Sequence, residues 1–218
     1  MYAKIQDTVR AALQLIEIIP QERKELLEQF VKYVVTATQE GREIQTNTIC
    51  THNSRRSHLG QVWIQTMAYA YGIPNVKAFS GGTEGTACHP NTIAAFESQG
   101  FQIQKGEGEN PVYTIRYADD QDPILCWSKR YDDAANPKSN FVAMMVCGSA
   151  DGACPVVAGS SLRLSCTYVD PKVSDGTAEQ DATYQARSLQ IASEMAYVMA
   201  RAAHELKPVS CAPGSGCC

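Results

Sequence analysis

The stretch Ile44-Gln45-Thr46-Asn47-Thr48-Ile49-Cys50-Thr51-His52-Asn53-Ser54-Arg55-Arg56-Ser57 decides the fold. Ile44 to Ile49 is short and rich in Ile and Thr, the composition of a strand. After Ser57 the pattern becomes helical, with Leu59, Val62, Trp63, Met67 and Ala70 on one stripe and Gly72-Ile73-Pro74 as the stop. A strand feeding a helix through a short polar loop is the first half of a parallel βαβ unit. The loop between them gathers backbone N–H groups into a concave, positive surface at a helix N-terminus, which suits an oxyanion. Arg56 adds a planar, permanently charged fork, and the same field favours the thiolate of Cys50. Ser57 can donate to the sulfur. Cys50, Arg56 and Ser57 are therefore candidates for nucleophile, anion clamp and thiol donor, with Thr51, His52, Asn53, Ser54 and Arg55 lining the cradle.

Outward from this unit the elements alternate. Val76 to Ser80 is a second strand, closed by Gly81-Gly82, and Pro90 to Gln99 is a helix ended by Gly100. Val112–Tyr117 and Ile124–Ser128 read as strands and hairpin candidates within a long polar region. Asn140 to Val146 is almost continuously apolar, as in a strand buried on both faces. A long helix is expected from about Ala178 to Leu206. Strands alternating with helices predict an α/β three-layer sandwich on a mainly parallel sheet. Two helices over residues 1–42 form an N-terminal arm, residues 43–208 the main domain, and residues 209–218 a flexible Cys-rich tail.

Composition narrows the function. The 218 residues carry a net charge of −4, against the basic balance of a general nucleic-acid binder, and no apolar run approaches a membrane span. The first twenty residues lack a long apolar stretch and a cleavage site, so no signal peptide is expected. Nine cysteines in a chain long enough to fold without staples suggest reduced, cytoplasmic thiols rather than a disulfide scaffold. There is no C-x2-C and no histidine at zinc-finger spacing, so neither a metal nor another cofactor is called for. Cys88, Cys126 and Cys166 read as packing residues, and His58, His89 and His204 as surface or capping residues.

The loop Cys50 to Ser57 resembles the anion loop of the low-molecular-weight tyrosine phosphatases and of the related thioredoxin-coupled arsenate reductases. Phe79-Ser80-Gly81-Gly82-Thr83-Glu84 with His89-Pro90-Asn91 is similar to their second loop, and Tyr168-Val169-Asp170-Pro171 to the segment carrying the phosphatases' general acid. Val146-Cys147 through Asp151, Cys154 and Pro155 is similar to the reductases' redox segment. The resemblance covers roughly residues 43–206. It implies arsenate as substrate and thioredoxin, or a similar thiol reductant, as partner. Cys50 attacks the oxyanion, Asp170 protonates the leaving oxygen, Cys147 attacks Cys50, and Cys154 resolves the disulfide. Gly148 to Gly152 is expected as a mobile loop that lets Cys147 and Cys154 meet. The alternative is a phosphatase of the same fold acting on phosphotyrosine or a small phosphoester through Cys50, Arg56 and Asp170. Three departures stand out. Arg55 replaces a usual cysteine and adds a charge, Gln61 replaces a glutamate of the reductases' potassium site, and residues 101–140 are longer than the family pattern. Cys211, Cys217 and Cys218 are candidates for As(III) capture or thiol relay, with a passive terminus as the equal alternative.

Overall fold

The computed structural model describes residues 1–154 and 156–207, so the tail cysteines 211, 217 and 218 lie outside the described residues. Helices α1 (Ala3–Gln14) and α2 (Gln21–Gln39) come first, separated by Pro20, which cannot continue a helix. Strand β1 (Ile44–Cys50) enters α3 (Arg56–Ala70), then β2 (Val76–Gly82), α4 (Pro90–Ser98), β3 (Gln102–Lys105), β4 (Tyr113–Arg116), β5 (Ile124–Cys126), β6 (Phe141–Met145), α5 (Gly148–Ala153), β7 (Ser160–Ser165) and α6 (Gln180–Glu205).

The central sheet is four-stranded and parallel throughout, in the order β2-β1-β6-β7. β1 is an inner strand, and consecutive side chains leave it on opposite faces. Thr48 points to α3, where a Cβ on Gly60 would clash with its methyl group, so only glycine lets the helix lie this close. Asn47 points the other way and donates to Tyr131 O at 2.9 Å, in the segment that covers the second face. Helices with α6 beside α3 form one layer, the sheet the next, and α5 with the 127–140 segment the third. This is the three-layer α/β sandwich expected from the strand–helix alternation.

The arm is not a detached extension. α1 and α2 both pack on α6, and Ile5, Leu27, Phe30, Val31 and Val34 are fully buried in the same core as β1 and β6. The long region after α4 holds a small antiparallel sheet, β3-β4-β5, in which β4 and β5 pair as the expected hairpin. Two strands, β3 and β7, escape sequence reading. Gln102–Lys105 is four mostly exposed residues, and Ser160–Ser165 is an edge strand with only Leu164 well buried. No helix among the described residues is long and apolar enough to cross a membrane.

Candidate active site

Cys50 is the last residue of β1, at the carboxyl end of the parallel strands where such sheets place their sites. The loop that follows is held from outside by its carbonyls. Thr83 N donates to Cys50 O at 3.0 Å, Glu84 N to Thr51 O at 2.8 Å and His89 N to Ser54 O at 2.9 Å. Ser128 and Thr86 hydroxyls donate to His52 O at 2.9 and 3.0 Å. With every one of these carbonyls turned outward, the amides face the other way. Among the described residues, none of the N–H groups of residues 51–55 donates to a protein group. Five adjacent donors without a protein acceptor at the start of α3 are an arrangement that suits an oxyanion.

Asn53 makes the turn, with φ of +45°, a conformation asparagine tolerates better than most residues. Its amide donates to Ser57 Oγ at 2.8 Å and its oxygen accepts from Lys129 N at 2.9 Å. Ser57 Oγ in turn lies 3.1 Å from Cys50 Sγ. Because the Asn53 amide occupies the serine as an acceptor, the serine hydrogen is free to point at the sulfur. Cys50 itself is 4% exposed. Gly82 seals the outer wall. A Cβ there would lie 2.5 Å from Thr51 O and 2.7 Å from Asn53 N, both backbone atoms. Gly82→Ala should therefore deform the cradle while sparing the remote core. The expected result is loss of oxyanion affinity with a stability loss of about 1–3 kcal/mol, read by phosphate protection in thermal unfolding. Unchanged protection would overturn this role for the wall.

The two loop arginines diverge. Arg56 Nη2 donates to Asp170 Oδ2 at 2.6 Å and Nη1 to Tyr168 O at 2.8 Å, while its Nε is buried without a partner among the described residues. A buried guanidinium N–H is costly to leave unmet, so this donor is left for an acceptor that the described residues do not supply. Arg55 keeps its N–H in the cradle but turns its side chain away from it. Its Nε donates to Tyr184 OH at 2.7 Å and its Nη2 to Asp175 at 3.0 Å. The Tyr184 hydroxyl donates to Asp175 at 2.7 Å and is pushed up to about 12, by burial first and then by Asp175. Burial works against the Asp175 charge, but the Tyr184 hydrogen bond and Arg55 hold its carboxyl below the usual range. His89 stacks on Tyr184 with ring centres 5.9 Å apart and caps α4 by accepting from Asn91 N at 3.3 Å. Arg55 thus ties α3 to α6 through its side chain rather than adding a second charged fork.

His58 also corrects its expectation as a surface or capping residue. It is fully buried, and burial followed by the Lys129 charge pushes it down to about 3. The neutral ring donates from Nε2 to Asn53 O at 2.8 Å, since a carbonyl can only accept, and so braces the loop from beneath. His52 is exposed, 3.8 Å from Glu84. Gln61 is spent on structure. Its amide donates to Ala78 O and Leu125 O at 3.1 and 3.2 Å, and its oxygen accepts from Ser80 at 2.7 Å. Cys88, Cys126 and Cys166 are buried, the last two pushed up to about 12 by burial, as suits packing thiols.

Cys147 follows β6, next to β1, and meets the loop. Its Sγ lies 3.3 Å from Thr51 Oγ1, on the residue after Cys50, and also accepts from Ala150 N at 3.3 Å as the N-cap of α5. The expected mobile loop is this helix, a departure from the sequence reading. Cys154 is its C-cap, half-buried. Seven residues of helical rise separate the two cysteines by about 10 Å, beyond the reach of a disulfide. Arg163 clamps the helix to β7, donating to Asp151 Oδ1 at 2.6 Å, Asp151 O at 2.8 Å and Cys154 O at 3.1 Å. Ser165 Oγ adds a bond to the other Asp151 oxygen at 2.7 Å. Sequence reading missed Lys129, Ser128, Tyr184, Asp175 and Arg163, because each acts through contacts far apart in the chain. The Gly81-Gly82 doublet was the one local signal of the outer wall.

No family model and no curated protein matches this sequence. Solved structures similar to it include phosphatases and arsenate reductases. A low-molecular-weight phosphotyrosine phosphatase from Vibrio cholerae is 13% identical over 71% of this chain and 93% of its own, with a TM-score of 0.48. An arsenate reductase from Archaeoglobus fulgidus is 15% identical over 71% of this chain and 98% of its own, with a TM-score of 0.44. A thioredoxin-dependent arsenate reductase from Corynebacterium glutamicum is 16% identical over 86% of this chain and 80% of its own, with a TM-score of 0.37.

Proposed function

We propose that this protein reduces arsenate to arsenite through Cys50, Cys147 and Cys154. The observation that carries the reading is the Cys147 thiol against Thr51 at the mouth of an otherwise complete anion seat. Phosphoester hydrolysis needs one thiol there, and reduction needs two. Arsenate sits on the free N–H groups of the loop and the Arg56 Nε. The Cys50 thiolate bonds to arsenic and an oxygen leaves as water, with Asp170 as proton donor. The Cys147 thiolate then attacks the Cys50 sulfur. A disulfide forms, the sulfur–arsenic bond breaks, and its electron pair leaves with arsenic as arsenite. Cys154 attacks Cys147 next and frees Cys50. The resulting Cys147–Cys154 disulfide takes two electrons from an external dithiol such as thioredoxin.

The second reading, a phosphatase, draws on Asp170, which stands 2.6 Å from Arg56. One assay separates them. The reductase consumes arsenate in step with oxidation of thioredoxin, whereas the phosphatase hydrolyses p-nitrophenyl phosphate at full rate with no reductant and leaves arsenate unreduced.

The cascade also requires α5 to open, because its two ends carry the thiols that must meet. A Cβ added at Gly148 or Gly152 would meet nothing within 4 Å, so alanine fits at both without a clash. The pair Gly148→Ala, Gly152→Ala should stabilise α5 by about 1–2 kcal/mol. Opening then becomes about ten-fold rarer. The expected outcome is slower formation of the Cys147–Cys154 disulfide with an unchanged first arsenite burst. An unaltered disulfide rate would show that α5 opening does not limit the exchange.

A further inference from the structure

We infer that Arg23, on the N-terminal arm, is a positioning residue for the segment that carries Asp170. The inference rests on the reading of Asp170 as the general acid. Residues 166–170 leave β7 as an irregular strap, and Val169 is 62% exposed, so little covers it from outside. Its fixings are few. Tyr168 N donates to Val146 O at 3.1 Å, next to Cys147, and Arg56 holds Tyr168 O and Asp170 on the site side. The opposite side is held by α2. Arg23 Nη2 donates to Thr167 O at 2.6 Å, and the guanidinium lies 5.2 Å from the Tyr168 ring centre. Arg23 Nε is 3.6 Å from Glu194 of α6, whose other oxygen accepts from the Tyr168 hydroxyl at 2.7 Å.

Arg23 therefore grips the strap at consecutive residues while α6 grips the same tyrosine. The Arg23 and Glu194 side chains are only 18% and 3% exposed, so water is a poor substitute for either partner. Burial favours the neutral form of Glu194, and Arg23 opposes it with its charge. Thr167 and Tyr168 lead directly into Asp170, so the arm fixes where the acid stands relative to Arg56. This gives residues 1–42 a part in the reaction without a contact to the reacting atoms.

The test compares Arg23→Met and the charge-balanced pair Arg23→Met, Glu194→Gln with Asp170→Asn. The second variant removes the buried charge that Arg23→Met alone would strand. Two aryl phosphates report on the acid. p-Nitrophenyl phosphate expels a stable phenolate and needs little protonation, whereas phenyl phosphate needs the acid. Both Arg23 variants should keep kcat on p-nitrophenyl phosphate within about three-fold and lose phenyl phosphate kcat by about 100-fold, with KM unchanged. Asp170→Asn should lose phenyl phosphate turnover more steeply than p-nitrophenyl phosphate turnover, and adding Arg23→Met to it should deepen neither loss. Amide exchange of residues 167–172 should quicken in the Arg23 variants while β1 and β6 stay protected. Equal loss on both substrates, or no loss together with unchanged exchange, overturns the positioning role while Asp170→Asn still upholds the acid. Absence of selectivity in Asp170→Asn overturns the acid reading and the inference with it. If neither substrate is turned over, exchange alone decides, and slow exchange of the strap in both variants overturns the inference.

Discussion

Replacing Cys50 by serine will leave a folded protein that turns over neither arsenate nor a phosphoester. The expected drop is about 10⁴-fold or more, the scale seen when a covalent nucleophile is removed from a preorganised site. Serine nearly matches cysteine in shape, and the position already faces the Ser57 hydroxyl at 3.1 Å, so a hydroxyl is accommodated. What it lacks is the nucleophilicity of sulfur and an atom that a second thiol can attack. Arg56→Lys should fall by a comparable factor for another reason. A lysine ammonium cannot hold Tyr168 O and Asp170 together and still present a third donor to the seat. Steady-state rates near wild type in either variant would remove the loop from the mechanism.

Cys154→Ser separates the two chemistries more sharply. Under reduction it should release about one arsenite per protein and stop, with a Cys50–Cys147 disulfide visible by mass spectrometry after alkylation. Cys147→Ser should stop earlier, with arsenic still on Cys50. Under hydrolysis both variants should keep the full wild-type rate. A Cys154→Ser sample that has released arsenite yet holds no Cys50–Cys147 disulfide would remove Cys147 from the cascade.

The site was legible in the sequence where chemistry and local pattern coincide. Cys50, Asn53, Arg56 and Ser57 stand in one loop between an apolar strand and an apolar helix, so spacing alone brought them together. Arg55 was not legible. It differs from Arg56 only by backbone direction at the N-cap of α3, where φ of −129° and ψ of −85° turn it toward Tyr184 and Asp175. His58 misled because a histidine on a helix reads as polar, whereas here its ring donates to Asn53 O in the core. The helix α5 was hidden by Gly148 and Gly152, weak helix formers in a six-residue element that draws its stability from Arg163. The role of the arm was out of reach for a different reason. Arg23 and Thr167 are 144 residues apart, and no local pattern announces such a contact.

The cap on α5 has a consequence for the order in which electrons move. In the reduced protein the Cys147 sulfur is the acceptor that anchors the first turn of that helix. On the proposed cascade the same sulfur becomes bonded to Cys50, and its capacity to hold the Ala150 amide falls once it is tied into a disulfide. On that proposal oxidation of Cys147 removes the cap of the first turn and leaves α5 to its Arg163 and Ser165 contacts, which weakens the element that keeps Cys154 away. On the proposed cascade this arrangement works as an interlock. While no substrate has reacted, the resolving thiol stays beyond bonding range and an idle oxidant cannot short-circuit the pair. Once Cys147 is engaged, the barrier to Cys154 weakens from the same event. On the proposed cascade the sulfur that closes the first disulfide is also the one that unlocks the second.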